Sequence, residues 1–178
     1  MIKALYTSML ALLITIPLAQ ADTVKRYINP VLGFSLDYGT ETHVIETPNK
    51  ALVTIANSIR VGNAVQYGVG VGFKMKNTMG KSFKEFVDEE REYFTSDQQR
   101  VRERVLTIDE KYHAVEITRI GTSNNKDILY LMIQLPNKDD VLTMSMITDN
   151  NPASAQLKER NEKGQRLYQE IVNGLDIH

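Results

Sequence analysis

Between Val65 and Met75 the odd-numbered residues Val65, Tyr67, Val69, Val71, Phe73 and Met75 are all apolar, while the even ones are Gln66, Gly68, Gly70, Gly72 and Lys74. A pleated chain sends successive side chains to opposite faces, so a period of two over this length predicts a long strand. The same reading settles the GVGVGF run at 68–73. A phosphate-cradling loop needs free backbone amides and a helix directly behind it, whereas the next helix signal waits until Ser82. Glycines inside a strand weaken it unless something approaches that face closely. Either a helix lies tight against Gly68, Gly70 and Gly72, or a groove is left open over them.

Further strands are predicted on both sides. Gly33–Tyr38 alternates, and 51–56 is a short run of β-forming residues. Later segments follow at 101–108, 112–120, 128–135 and 141–148, separated by Asp109-Glu110-Lys111, by the polar stretch 121–126 and by Pro136–Asp140. Connectors this short imply antiparallel neighbours. Ile128–Ile133 is apolar at every position, which predicts a strand covered on both faces.

Two helices can supply that cover. Ser82 stands three residues before Glu85, with Phe83, Phe86, Val87 and Phe94 at helical spacing, so a capping box opens a helix over 83–94. The second is expected to open at Asn151-Pro152 and to stop near Gly174 as a left-handed cap, with Leu157, Asn161, Gly164, Leu167, Tyr168, Ile171, Val172 and Leu175 on its buried stripe. Gly164 costs a helix about 1 kcal/mol relative to alanine, which close packing against another backbone would explain.

Residues 1–21 have one basic side chain, Lys3, an apolar run from Met9 to Leu18 and the triplet Ala19-Gln20-Ala21. This is the layout of a secretory signal peptide cleaved after Ala21, with an apolar run too short for a membrane span. A single domain over 22–178 is expected to follow, periplasmic or secreted. The chain has no cysteine, hence neither disulfides nor a lipidated cleavage site. Beyond residue 21 it carries 20 basic and 22 acidic side chains, a balance that argues against nucleic acid as a partner.

Candidate chemistry is sparse. His43, His113 and His178 are scattered and form no metal-ligand spacing. Only His43 with Glu41 and Glu46, in an expected loop, merits consideration as a cation site. No serine sits in a nucleophile elbow, and Asp88 beside Glu89 cannot converge on a helix. No catalytic residue, metal or cofactor is therefore assigned. Glu90 falls on the stripe of Phe83 and Phe86, either at its edge or as a partly buried carboxylate. The densest constellation is Arg100, Arg102 and Arg104, whose period-two spacing aligns three guanidinium forks on one strand face. They form either an anion ladder or the charged guard of an edge strand. Lys74 and Lys76, continuing the glycine face, extend the ladder if the strands share a face.

The opening Tyr27-Ile28-Asn29-Pro30-Val31-Leu32-Gly33-Phe34-Ser35-Leu36-Asp37-Tyr38, the helix over Ser82–Phe94, the later strand meander and the closing Gly174-Leu175-Asp176-Ile177 together resemble the PsbP-like family. That family is named for an extrinsic subunit of the photosynthetic oxygen-evolving complex, and its fold is shared with a nuclear-import factor that binds a Ran GTPase. The chain departs from the family pattern in placing Gly39 after Tyr38 and in lacking tryptophan. The resemblance implies an α+β chain: an α/β/α sandwich with a central, mainly antiparallel sheet of about six to seven strands flanked by helices. It also implies a non-enzymatic binding or assembly module; with the signal-peptide layout, the leading expectation is a protein partner in the cell envelope. A carrier of a small anionic or lipidic ligand, seated at Gly68, Gly70, Gly72, Lys74, Lys76 and the three arginines, is the competing expectation.

Overall fold

The computed structural model describes residues 24–61, 63–95, 100–121 and 126–178. The expected signal peptide and the connector residues 122–125 lie outside them. The chain runs β1 (Lys25–Asn29), β2 (Phe34–Tyr38), β3 (Thr42–Glu46), β4 (Leu52–Val61), β5 (Ala64–Asn77), α1 (Phe83–Thr95), β6 (Arg100–Ile108), β7 (Tyr112–Ile120), β8 (Lys126–Gln134), β9 (Asp140–Asp149), α2 (Ala155–Gly174) and β10 (Leu175–Ile177). A seven-stranded sheet has the order β3-β4-β5-β9-β8-β7-β6, with every neighbouring pair antiparallel, and β1-β2-β10 form a second antiparallel sheet. This is the α+β architecture expected from the sequence, with the GVGVGF run inside β5.

The large sheet has two unequally covered faces. Its inner face packs against α2 and the small sheet. Phe34 of β2 stacks on Phe73 of β5 with ring centroids 4.6 Å apart, and Leu167, Tyr168 and Ile171 of α2 join the same core. The outer face meets α1, whose Phe83, Phe86, Val87 and Phe94 cover Val115, Ile117, Tyr130 and Met132. From Tyr130 to Ile133 β8 is thereby buried from both sides, as its apolar run predicts, while Ile128 and Leu129 are only partly buried. Among the described residues no helix covers the outer face of β3 and β4, and α1 meets that of β5 at Lys76.

The first helix forms where its cap dictates. Glu85 Oε2 accepts from the Ser82 backbone N–H at 2.8 Å, and Ser82 Oγ accepts in return from the Glu85 N–H at 3.3 Å. The second begins later than expected and ends at Gly174 as expected, but without the expected left-handed cap. Ser154, not Asn151, is its N-cap, its hydroxyl accepting from Leu157 N–H, because the chain stays irregular past Pro152. Nor is Gly174 a left-handed stop: among the described residues the positive-φ glycines are Gly33 and Gly80, and α2 passes straight into β10 through an extended Leu175. Gly164 is explained by a side chain rather than a backbone, since a Cβ there would lie 2.5 Å from the Val69 Cβ.

A bulge corrects the strict alternation of β5. The register passes from Ala56↔Gly70 to Ser58↔Tyr67, so Gly68 and Val69 together face the single residue Asn57. Each such extra residue reverses the side-chain sense beyond it. Val69 is 4% exposed beneath α2, whereas Tyr67 is 61% exposed and meets the His43 ring edge-on at 5.5 Å. His43 itself is on β3 rather than in a loop.

Candidate functional site

The bulge also divides the glycines. Gly68 points at Asn57 and Ile59, whereas Gly70 points at Thr54 and Ala56 and Gly72 at Ser145. No helix lies on them. Gly68 and Gly70 are crowded by side chains of the neighbouring strand β4, whereas a Cβ on Gly72 would meet Ser145 only at ordinary contact distance.

The arginine row and the lysines do not form one ladder. Three strands, β9, β8 and β7, separate β5 from β6, and the registers put them on opposite faces. Lys74 pairs with Thr143, which pairs with Met132 and so with Val115 on the outer face. Arg104 pairs with Glu116 and Arg102 with Thr118, on the inner face. Arg100 and Arg102 stand exposed on the edge strand.

Arg104 instead closes a buried network that sequence reasoning missed. Glu116, 5% exposed, accepts from Arg104 Nε at 2.6 Å and Nη2 at 2.9 Å, and from the Tyr168 hydroxyl of α2 at 2.7 Å. A buried carboxylate is tolerable only when its lone pairs are occupied in this way. The bond to Glu116 holds the Arg104 pKa above its ordinary value. Burial, then the same carboxylate, raises that of Tyr168. The signal was present in the sequence: an acid in the middle of the otherwise apolar Ala114-Val115-Glu116-Ile117.

On the outer face, beside α1, a groove of about 350 Å³ has Gly72, Ser145 and Tyr130 in its floor. Glu90 leans into it from the helix and accepts from Lys76 Nζ at 2.6 Å. It is a paired, largely buried carboxylate at the edge of the helix stripe, with 19% of its side chain exposed. Burial works against the Lys76 ammonium, but its bond to Glu90 prevails and its pKa is raised. The ammonium also lies 5.4 Å from the Tyr130 ring centroid, within cation–π range. Lys74 makes no ion pair among the described residues, and the buried Tyr130 hydroxyl, close to Lys76 and Thr143, makes no hydrogen bond of ordinary geometry.

The histidine cluster does not converge. His43 Nε2 lies 2.5 Å from Ser58 Oγ, and Glu46 instead accepts from the Tyr27 hydroxyl at 2.7 Å. His113 packs edge-on against Phe83, and His178 Nε2 lies 3.0 Å from Ser35 Oγ. Among the described residues no three His, Asp or Glu side chains are grouped to hold a metal ion, and no helix is long and apolar enough to cross a membrane.

The whole arrangement is similar to two solved structures. The Ran-binding protein Mog1p of Saccharomyces cerevisiae superposes with a TM-score of 0.53 at 14% identity, over 88% of this chain and 96% of that one. Cyanobacterial PsbP (CyanoP) from Synechocystis superposes with a TM-score of 0.52 at 10% identity, over 93% and 99%. No protein-family model matches the chain, and no curated protein matches it in sequence.

Proposed function

We propose that this chain, built on the fold of PsbP and Mog1p, is an exported non-catalytic module that binds a protein partner in the cell envelope. The observation that carries this reading is the bare outer face at the β3–β4–β5 end. Ile45, Leu52 and Tyr67 are 43%, 48% and 61% exposed there, on one face of adjacent strands, with His43 among them. Single exposed apolar residues are ordinary on a protein surface, but a contiguous set on a flat sheet is the signature of an interaction surface. One structural neighbour is itself described as a Ran-binding protein, which supports binding rather than turnover as the work of this fold. The signal-peptide layout of residues 1–21 supports export.

The test is capture from an envelope extract with residues 22–178 as bait, followed by cross-linking and mass spectrometry. A stoichiometric protein is expected on the wild-type bait and absent from the Ile45→Glu/Tyr67→Glu variant. Identical capture by both baits, or turnover of a substrate by the purified chain, would overturn the reading.

A further inference from the structure

The groove beside α1 has the shape, polarity and unmet hydrogen-bonding capacity of a small-molecule site. Its depth comes from two small residues. Gly72 of β5 and Ser145 of β9 are register partners in the floor, and a Cβ on Gly72 would have Ser145 Oγ at 3.5 Å as its nearest neighbour. Tyr130, the partner of Ser145 on its other side, continues the floor. Its side chain is 7% exposed, and its hydroxyl, close to Lys76 and Thr143, makes no hydrogen bond of ordinary geometry. Buried hydroxyls are ordinarily satisfied, so an orphan one in a groove floor marks a place for an acceptor. Two ammonium groups, Lys74 and Lys76, face one carboxylate, Glu90, which is already committed to Lys76 at 2.6 Å. The balance favours an anion. Away from these charges the groove is lined by Leu52, Ile128, Ile147 and Tyr93, which favour an apolar body.

We propose that the groove binds a small amphiphilic carboxylate of the medium-chain fatty-acid type. The head accepts from the Tyr130 hydroxyl and faces Lys74 and Lys76, and the chain lies along Ile128, Ile147 and Leu52. A volume of about 350 Å³ sits near the lower end of ligand pockets, which suits one short chain rather than a two-chain lipid. The inference shares only Leu52 with the protein-partner reading, whose test turns on Ile45 and Tyr67 at the far end of the face.

Titration calorimetry at neutral pH with decanoate, with decylamine and with phosphatidylcholine vesicles carrying decanoate distinguishes the outcomes. Saturable one-to-one binding of free decanoate is expected, without binding of decylamine. Tyr130→Phe removes only a hydroxyl that has no hydrogen bond of ordinary geometry in the fold, so it should weaken decanoate about tenfold in a chain that still melts cooperatively. Gly72→Val fills the floor and should abolish binding in a chain that still melts cooperatively. The proposal is overturned if decanoate gives no heat, if decylamine binds equally, if only vesicles bind, or if Tyr130→Phe binds as tightly as wild type.

Discussion

A methyl group on Gly68 would come within 2.1 Å of Asn57 Oδ1, and one on Gly70 within 2.7 Å of Thr54 Cγ2. One on Gly72 would sit in ordinary contact, 3.5 Å from Ser145 Oγ. Three glycines that read alike in the sequence therefore carry different constraints. Gly68→Ala must displace a buried asparagine and is expected to lose about 1–3 kcal/mol, the usual cost of overpacking. Gly72→Ala should gain about 0.5 kcal/mol by restricting the unfolded chain where the strand has room for the methyl. Urea denaturation of the two variants checks the order, and equal effects would refute the division. That glycines were needed was legible; which of them face a neighbour was not. The same holds for Glu116, whose presence in a strand was visible while its partners, Arg104 and Tyr168, come from elements 12 and 52 residues away.

α2 lies against β5 through one contact that admits no side chain. The Gly164 position meets Val69 Cβ at 2.5 Å and Cγ1 at 2.7 Å, and both belong to elements that the inner core holds in place. Alanine at 164 gains about 1 kcal/mol of helix propensity but forces the helix off the sheet. We expect Gly164→Ala to lower the melting temperature by several degrees and Val69→Ala in the same chain to restore part of the loss. Failure of the second substitution to rescue would mean that the helix glycine serves some purpose other than this approach. The buried stripe of α2, including Asn161, whose Nδ2 donates to the Asp149 carbonyl at 2.5 Å, was legible from its 3.6-residue period. Its start was not, because Asn151 and Ser154 are equally good caps and only the path out of β9 chooses between them.

For the molecule as a whole, tyrosines that hold their protons tightly set an alkaline limit. Burial and then the bond to Glu46 raise the Tyr27 pKa from 10.0 to about 12, and burial is also the leading cause for Tyr130 and Tyr168. A group that binds its proton more tightly in the native state contributes fully below its unfolded pKa. The contribution is lost as pH rises through the folded one. Stability should therefore decline between about pH 10 and 12, with a shallower decline in Tyr27→Phe, read from denaturation midpoints across that range. An equal slope in the variant would exclude Tyr27 as a contributor.

Periodicity, capping chemistry and turn composition act between residues close in the chain, so β2, β4 to β9, both helices, the α+β class and the PsbP-like resemblance could be read from the sequence alone, whereas the short edge strands β1, β3 and β10 could not. Face, register and neighbour are set by pairing across the sheet, where one bulge reverses every side chain beyond it and strand order decides what stands beside what. Only the tertiary structure could therefore send Tyr67 outward, place the arginines and lysines on opposite faces, and leave a groove over Gly72 with the Tyr130 hydroxyl in its floor.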